Sequence, residues 1–512
     1  MKKVLIAVIL CIFVAAMFTA CGSEKTETGG EGCSAVTENI IATFMELTKV
    51  PRPSHHEEKI SNYLLGWAQG KGLDAVQDDY YNLIIDVPAT EGMEEKPLVC
   101  LQCHMDMVFA QKEGAGLDPL TTEIVVKNDG KYLTSDGNTS LGADNGIGLA
   151  VAMRIAEGEV GHGPLRLIIT TNEEDGATGA FNISPDCVKD VSYMINIDHD
   201  GEGDACLSSA AGIRQVFSLD VSAEKPEGES AIEISIKGLT GGHSGLEIDR
   251  GRLNGLIGLA NIIENLEKNG IEYELASFSG GSAMNAIPAA ATAVICVGGG
   301  DVDKAVDILN TESEKYREDY SETDPDMTVT VEKTDLPDKV LSKEDKESIA
   351  GLLTGIRDGV YTMMEDFDGV VESSSNLGLL KADGDGVEAV AMVRSASPEK
   401  LDFLVGEQAE LSESLGFSLE SQKCTDAWPY KKDNPLFDLA NDSYKSIFGK
   451  ELGIDITHGG LECGTFAVYN PDINMISVGP EVIDSHTINE RVEIESIEIL
   501  WRLIQKVLED IE

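Results

Sequence analysis

The chain of 512 residues carries 90 Asp and Glu against 39 Lys and Arg, which gives a formal net charge of −51. This charge excludes nucleic acid as an expected partner, because binding to phosphates requires clusters of Lys and Arg. The length allows two or more domains with sizeable cores, and the hydrophobic content of 42% is typical of a globular protein.

The N-terminal segment resembles a bacterial export signal. Lys2 and Lys3 precede an almost unbroken apolar run at residues 4–18, and Thr19-Ala20-Cys21 then resembles a lipobox. We therefore predict a lipoprotein signal peptide at 1–21, lipidation at Cys21 and a linker at 22–33. The expected location is extracytoplasmic, with the protein anchored to the bacterial cell membrane through that lipid. An uncleaved anchor helix is the alternative.

The first folded elements surround a histidine and an aspartate. Ser54-His55-His56-Glu57 predicts a capping box that opens a helix to about residue 69. Strands are predicted at 81–87 and 97–104, and the second ends in His104-Met105-Asp106. Residues two apart share a face of a strand, so His104 and Asp106 point the same way. Residues 100–104 also match a haem-attachment pattern, but a buried strand places its two cysteines on opposite faces and is the favoured interpretation.

Acidic residues follow the next predicted elements. Asp144 lies in Gly142-Ala143-Asp144-Asn145-Gly146 at the start of a predicted helix, where alone it would be an N-cap. Glu173 and Glu174 follow an apolar strand at 165–169, and Asp198 follows one at 193–197. Alone, the glutamate pair would indicate a solvated acidic turn. Together with His104, however, these acids lie at successive strand ends, where α/β sheets form their sites, and their oxygen atoms suit divalent metals.

The pattern changes after residue 211. An alternating strand at 232–236 leads into a glycine-rich loop that contains His243, and Asn285 and Arg394 follow in later loops and strands. We predict a smaller lid or dimerisation domain at 212–404, inserted into a catalytic domain made of 34–211 and 405–512. The last part contains His458, Glu462 and, before a final helix, His486.

These motifs resemble a known family. Residues 103–108 and 142–146, with Glu173, Glu174 and Asp198, are similar to the dinuclear metallopeptidases of the M20 class. Residues 241–245, 284–288 and 460–464 narrow the resemblance to the aminoacyl-histidine (Xaa-His) dipeptidase or carnosinase-like branch. The resemblance covers about residues 34–512. It implies an α/β fold in which a dinuclear-zinc aminopeptidase-like catalytic domain carries an inserted α+β lid domain.

The resemblance also implies roles for single residues. Two Zn²⁺ ions are expected, with Co²⁺ or Mn²⁺ as alternatives. The implied ligands are His104 and Asp198 for one ion, Glu174 and His486 for the other, and Asp144 as the bridge, with Asp200 a rival to Asp198. Asp106 would orient His104, Glu173 would be the general base, and the Asp144–Asn145 peptide bond would be cis.

In this family the lid reaches the substrate. The resemblance implies that His243, Asn285 and Arg394 bind the substrate carboxylate and the oxyanion, in some members across a homodimer formed through the lid. His458 and Glu462 are expected to shape the pocket rather than bind metal.

The leading hypothesis is an exported metal-dependent dipeptidase that acts on small peptides through a metal-activated water. Dipeptides that end in histidine, of the β-Ala-His type, are the candidate substrates. Another M20 hydrolase, such as a tripeptidase or an N-acyl amino-acid amidohydrolase, is one alternative. A peptide-binding lipoprotein without turnover is another, but pure binding requires no general base such as Glu173.

Overall fold

The computed structural model describes residues 34–512. The predicted signal peptide, its lipidation site Cys21 and the predicted linker lie outside the described residues. Within residues 34–512, no helix combines the length and the apolar composition that crossing a bilayer requires.

The helices of the described chain are, in order, α1 (Ala35–Leu47), α2 (Glu58–Gly70), α3 (Ala143–Arg154), α4 (Thr178–Asn182), α5 (Gly255–Lys268), α6 (Val302–Asp319), α7 (Lys343–Gly355), α8 (Pro398–Ser414), α9 (Pro435–Phe448), α10 (Cys463–Tyr469) and α11 (Ile494–Asp510).

The strands of the same region are β1 (Asp74–Gln77), β2 (Leu83–Val87), β3 (Val99–His104), β4 (Lys127–Asn128), β5 (Tyr132–Thr134), β6 (Leu165–Thr170), β7 (Tyr193–Asn196), β8 (Asp204–Ser209), β9 (Ala211–Leu219), β10 (Ala223–Glu224), β11 (Ser230–Lys237), β12 (Tyr273–Gly280), β13 (Ala291–Val297), β14 (Thr328–Thr334), β15 (Val340–Leu341), β16 (Gly359–Met363), β17 (Val371–Asp383), β18 (Gly386–Ser395), β19 (Ser418–Thr425), β20 (Gly453–Thr457), β21 (Asn474–Ser477), β22 (Val482–Ile483) and β23 (Arg491–Glu493).

The first sheet has eight strands in the spatial order β1-β2-β6-β3-β7-β21-β8-β20. Its centre is parallel, since β3 pairs in parallel with both β6 and β7, and β7 with β21. Strand β3 is buried along its whole length because its two faces enter different cores. Leu101 and Cys103 pack in the core that contains α1, α3 and α11, whereas Cys100 packs in the core beside α10. Burial on both faces is typical of a parallel α/β sheet.

The second sheet is antiparallel, with the order β14-β11-β13-β12-β17-β18-β9-β19 and β16 paired to β17. It consists of two similar halves. One runs β11-α5-β12-β13-α6-β14, and the other contains β9, α7, β17, β18, α8 and β19 with the same spatial arrangement. The halves join where Phe278, Ser279 and Gly280 of β12 pair with Ala382, Lys381 and Leu380 of β17.

The two sheets agree with the predicted α/β fold with an inserted α+β domain. One boundary differs, because β19 pairs with β9 and the second sheet therefore continues to Thr425, beyond the predicted boundary at residue 404. The main chain returns to the first sheet through α9 and β20. A small sheet of β22, β23, β5 and β4 then carries the loop that contains His486.

Candidate metal centre

The parallel strands deliver the predicted ligands to one edge of the first sheet. His104 is the last residue of β3, Glu173 and Glu174 follow β6, and Asp198 follows β7. Asp144 lies in the first turn of α3. Because β3, β6 and β7 are adjacent and parallel, their carboxyl ends open on the same side, as in other α/β sites.

Asp144 lies between the two predicted histidine ligands. His104 Nε2 is 3.1 Å from Asp144 Oδ1 and 3.1 Å from Asp198 Oδ1. His486 Nε2 is 3.1 Å from the other oxygen of Asp144 and 2.8 Å from Glu174 Oε2. The five residues predicted as ligands therefore come together, and Asp144 contacts both histidines; its role as a bridge between two ions stays a prediction.

The carboxylates of this cluster lie close together and are largely shielded from solvent. Burial, followed by the charge of Asp198, raises the pKa of Glu173 well above its ordinary value. Burial and the charge of Asp144 raise the pKa of Glu174 to about 7. Glu174 Oε1 is buried and has no hydrogen-bond partner among residues 34–512. Such carboxylates are costly to bury unless a cation accompanies them.

The histidines show the complementary effect. Hydrogen bonds to Asp144 and Glu174 raise the pKa of His486 to about 11. Burial lowers the pKa of His104, but the charge of Asp198 and contacts with its other acidic neighbours raise it well above the ordinary value. Bound metal releases protons from such ligands because an imidazole must be neutral to coordinate.

The donor set fits a divalent cation. His104, Asp144 and Glu174 offer one group of ligand atoms within 4.8 Å of one another, and His104, Glu173 and Asp198 offer a second. Imidazole nitrogen and carboxylate oxygen are the ligands of catalytic zinc sites. The cluster therefore forms a candidate metal site. The division of its residues between ligands and base stays a prediction.

Asp106 connects the histidine to the glutamate pair. It is fully buried, and its Oδ1 lies 3.3 Å from His104 Nδ1. Its carboxylate also accepts hydrogen bonds from the backbone N–H groups of Glu173 at 3.1 Å and Glu174 at 3.4 Å. Burial would raise the pKa of Asp106, but its interactions with His104 hold that pKa below the ordinary value.

The predicted capping box at Ser54 is wrong. Helix α2 begins at Glu58, and its N-cap residue, Glu57, makes no side-chain capping bond. The Ser54 hydroxyl instead donates to Asp106 Oδ2 at 2.8 Å. A contact between residues so far apart in the chain overrides the local capping preference, which a sequence pattern alone cannot show.

Two neighbours complete the Asp198 side of the cluster. The Asp144–Asn145 peptide bond is cis, as the family resemblance implies, and the Asn145 side chain donates to Asp198 Oδ1. The rival acid Asp200 is exposed and accepts a hydrogen bond from Ser485 at 3.1 Å, whereas Asp198 lies 3.1 Å from His104 Nε2. Asp200 therefore lies beside the cluster.

Glu462 lies below the cluster rather than within it. Its Oε2 accepts hydrogen bonds from Thr170 Oγ1 at 2.5 Å and Gln102 Nε2 at 2.6 Å, and burial raises its pKa to about 8. These bonds fasten the loop that also carries His458 to strands β3 and β6.

The three predicted lid residues also meet. Asn285 Nδ2 is 3.5 Å from His243 Nε2. A Cβ atom added to Gly245 would lie 3.0 Å from His243 Cε1 and 3.2 Å from Arg394 Cζ, so both side chains border that glycine. Burial and the charge of Arg394 lower the pKa of His243, and the same two causes lower that of His458 to about 3. Contact of this group with a substrate stays a prediction.

Sequence reasoning missed two buried charged residues that contact the site's backbone, Arg52 and Glu490. Arg52 lies between Pro51 and Pro53 in the segment that connects α1 to α2, and Glu490 follows the loop of His486. A cation between two prolines is the only local signal that either residue offers.

The fold and the candidate metal site are those expected of a metallopeptidase. Residues 100–510 match the sequence profile of Peptidase family M20/M25/M40, and the chain belongs to this family.

Individual relatives agree with that assignment. The chain is 32% identical over 470 residues to the cytosol non-specific dipeptidase of Escherichia coli (strain K12), which covers 91% of this chain and 96% of the relative. Its structure matches the crystal structure of aminoacylhistidine dipeptidase from Vibrio alginolyticus with a TM-score of 0.84. The two sequences are 30% identical, and the match covers 94% of this chain and 97% of the Vibrio chain. A tripeptidase from Staphylococcus aureus shares the fold at 17% identity, with a TM-score of 0.54 and coverage of 93% and 98%. The predicted family resemblance and fold class are confirmed.

The same comparison corrects the predicted location. An extracytoplasmic, lipid-anchored protein is contradicted, because the Escherichia coli relative, similar over 91% of this chain, is a cytosol dipeptidase. The prediction rested on two lysines, a short apolar run and a lipobox that has Phe18 where a Leu-like residue is usual. Such a pattern is compositional, and it lies outside the described residues.

Proposed function

We propose that the protein is a metal-dependent dipeptidase whose substrates include dipeptides that end in histidine. The observation that carries the proposal is the cluster in which Asp144 lies between the buried His104 and the partly exposed His486, with Glu173 beside it. The names of the Escherichia coli and Vibrio alginolyticus relatives, both dipeptidases, support the choice of substrate class.

The cluster has donors for two divalent cations, which we propose to be Zn²⁺, with Co²⁺ or Mn²⁺ as substitutes. His104 and Asp198 would hold one ion, Glu174 and His486 the other, and Asp144 both. When bound, such ions polarise the scissile carbonyl and lower the pKa of a water molecule towards neutrality.

Glu173 is the proposed general base. Its carboxylate takes the proton of the attacking water and delivers it to the leaving nitrogen as the peptide C–N bond breaks. One feature supports this role: the backbone N–H of Glu173 donates to Asp106, which fixes the start of the turn that carries its carboxylate.

The lid group is proposed to bind the rest of the substrate. The buried guanidinium of Arg394 suits the terminal carboxylate of a dipeptide, and His243 and Asn285 offer donors for the oxyanion. A homodimer through the lid stays a prediction.

A substrate panel tests the proposal. The purified protein, supplied with Zn²⁺, Mn²⁺ or Co²⁺, is offered Xaa-His dipeptides, other dipeptides, tripeptides and N-acyl amino acids, and release of free amino acid is measured. We expect dipeptide hydrolysis. Cleavage of tripeptides or N-acyl amino acids alone would favour the alternative M20 activities, and peptide binding without any cleavage would refute the enzyme proposal.

Two adjacent glutamates provide matched variants. E173Q is expected to keep its bound metal and to lose about 10²- to 10⁴-fold in kcat, the usual contribution of a general base. E174Q is expected to lose metal affinity because it removes a ligand charge. Equal metal loss in both variants would contradict the separate roles.

A further inference from the structure

The loop of residues 141–144, which ends in Asp144, is held by a buried carboxylate. Glu490 Oε2 accepts hydrogen bonds from the backbone N–H groups of Leu141 at 2.7 Å and Gly142 at 2.9 Å, and Oε1 accepts one from Ala143 at 2.7 Å. Glu490 is 2% exposed. One carboxylate thus accepts the N–H groups of four successive residues, because Oε1 also accepts that of Asp144 at 3.4 Å.

A buried guanidinium holds the same loop through a carbonyl group. Arg52 is 1% exposed, and its Nη2 donates to the carbonyl oxygen of Gly142 at 2.5 Å. Its Nη1 donates to the carbonyl oxygens of Met105 at 3.0 Å and Asp106 at 2.7 Å. The guanidinium is planar and its donors are fixed relative to one another, so Arg52 sets the spacing between the segment after β3 and the Asp144 loop.

Two glycines leave room for this guanidinium. A Cβ atom added to Gly142 would lie 2.8 Å from Arg52 Nη2, and one added to Gly146 would lie 2.6 Å from the same atom. Gly142 also has a φ of +70°, which favours glycine. The glycines on either side of Asp144 are therefore explained by the close approach of Arg52, together with Met107 at Gly142 and Phe44 at Gly146.

Stabilisation of the fold does not by itself explain why Arg52 and Glu490 are buried. Burial lowers the pKa of Arg52, and no carboxylate oxygen bonds directly to its guanidinium within residues 34–512. Apolar residues that fill the same volume often stabilise a protein as well as, or better than, buried charges do. The acceptors of Arg52 are instead the backbones that carry Asp106 and Asp144.

We propose that Arg52 is a positioning residue for the metal centre. It aligns the Asp144 loop with the segment after His104, while Glu490 holds the N–H groups of the loop, and together they keep the Asp144 carboxylate between His104 and His486. The inference rests on the proposed function, because it assumes that this cluster binds metal.

The test compares R52K and R52M with R166K and R166M. Arg166 is a suitable control because it is also mostly buried and donates to a carbonyl oxygen, that of Cys187, but lies near the start of β6, away from the cluster. The full-length metal-free proteins are titrated with Co²⁺, and the dissociation constant, the visible absorption spectrum of bound Co²⁺ and the unfolding temperature are recorded.

We expect R52M to weaken Co²⁺ binding by about 10- to 100-fold, the range found when groups that orient metal ligands are removed. R52K keeps the positive charge but not the planar guanidinium with its fixed donors. We therefore expect a smaller loss of Co²⁺ affinity than in R52M and an altered absorption spectrum. The Arg166 variants should bind Co²⁺ within about twofold of the wild type, although a lower unfolding temperature is expected of them too.

Wild-type affinity and spectrum in both Arg52 variants, with only the unfolding temperature lowered, would overturn the proposal. If R52M does not fold, R52K and E490Q are tested by the same titration. Wild-type Co²⁺ binding in both of these variants would also overturn the proposal. Turnover is scored separately on the wild type. A wild type that binds Co²⁺ but cleaves no dipeptide would refute the proposed function, while the titrations would still decide the role of Arg52.

Discussion

Asp106 receives four polar contacts, and an asparagine at this position cannot keep all of them. Oδ1 faces His104 Nδ1 at 3.3 Å and the N–H of Glu173 at 3.1 Å. Oδ2 faces the hydroxyl of Ser54 at 2.8 Å and the N–H of Glu174 at 3.4 Å. The D106N side chain has nearly the same shape but one acceptor oxygen in place of two.

Either orientation of the new amide has a cost. With the NH₂ group at the Oδ2 position, Ser54 can rotate to accept, but the N–H of Glu174 loses its acceptor. With the NH₂ group at the Oδ1 position, His104 must accept at Nδ1, and the proton then moves to Nε2, the atom that faces Asp144 and Asp198. Losing one hydrogen bond to a charged group costs about 1.5–3 kcal/mol, which corresponds to about 10- to 100-fold in affinity.

We therefore expect D106N to weaken Zn²⁺ binding by about 10- to 100-fold, measured by competition with a chromophoric chelator. The matched control is S54A, which removes one bond to the same carboxylate and keeps its charge, so only a few-fold change is expected. Binding by D106N within about twofold of the wild type would refute the reasoning, as would an S54A effect of equal size.

Three further predictions concern metal removal, backbone strain and pH. A chelator is expected to abolish dipeptide hydrolysis and to lower the unfolding temperature, and added Zn²⁺ is expected to restore both. A ligand that binds only the folded state stabilises it by about 2.7 kcal/mol when its concentration is a hundred times its Kd. Unchanged activity in the metal-free protein would contradict this prediction. G142A is expected to destabilise more than G137A in urea denaturation. Both glycines have a positive φ, +70° and +85°, so either substitution costs about 1–2 kcal/mol because it places a side chain on a left-handed backbone. Only the Cβ at Gly142 would also meet Arg52. Equal losses of stability in the two variants would therefore contradict the close approach of Arg52 to Gly142. Burial and the charge of Arg394 lower the pKa of His458 from 6.5 to about 3. Below pH 6.5 His458 is therefore protonated in the unfolded chain but stays neutral in the folded protein. The free energy of unfolding should therefore fall as the pH drops from about 6.5 towards 3, and the fall should be smaller in H458Q; parallel profiles would refute the assignment.

The strands that carry the site could be predicted because their own residues specify them. The predicted strands at 97–104 and 165–169 correspond to β3 (Val99–His104) and β6 (Leu165–Thr170). Both are short apolar runs, the pattern of strands buried on both faces. Once the strands and their parallel order are known, the meeting of His104, Glu174 and Asp198 follows from the geometry of the sheet.

Contacts between distant segments could not be predicted in the same way. Arg52 and Glu490 bond to backbone groups near Asp144 that lie 90 and 347 residues away along the chain, and bonds to backbone groups leave no trace in a sequence pattern. The misassigned Ser54 has the same origin, since its hydroxyl had a local use as a cap and a distant use at Asp106, and the distant one prevailed. Strand β19 likewise lies beyond the predicted lid because its partner, β9, lies two hundred residues earlier.

The backbone offers a physical reason for the proposed division of roles between Glu173 and Glu174, because their side chains are identical. Asp106 accepts the N–H groups of both residues and so fixes the turn after β6 from which the two carboxylates leave. Glu174 then contacts His486 at 2.8 Å. The carboxylate of Glu173 instead lies within 4.8 Å of the ligand atoms of His104 and Asp198. The same Asp106 carboxylate faces His104 Nδ1, so a single side chain aligns a metal ligand and the proposed base. Loss of Asp106 should therefore reduce turnover even at saturating metal, unlike loss of a residue that orients His104 alone.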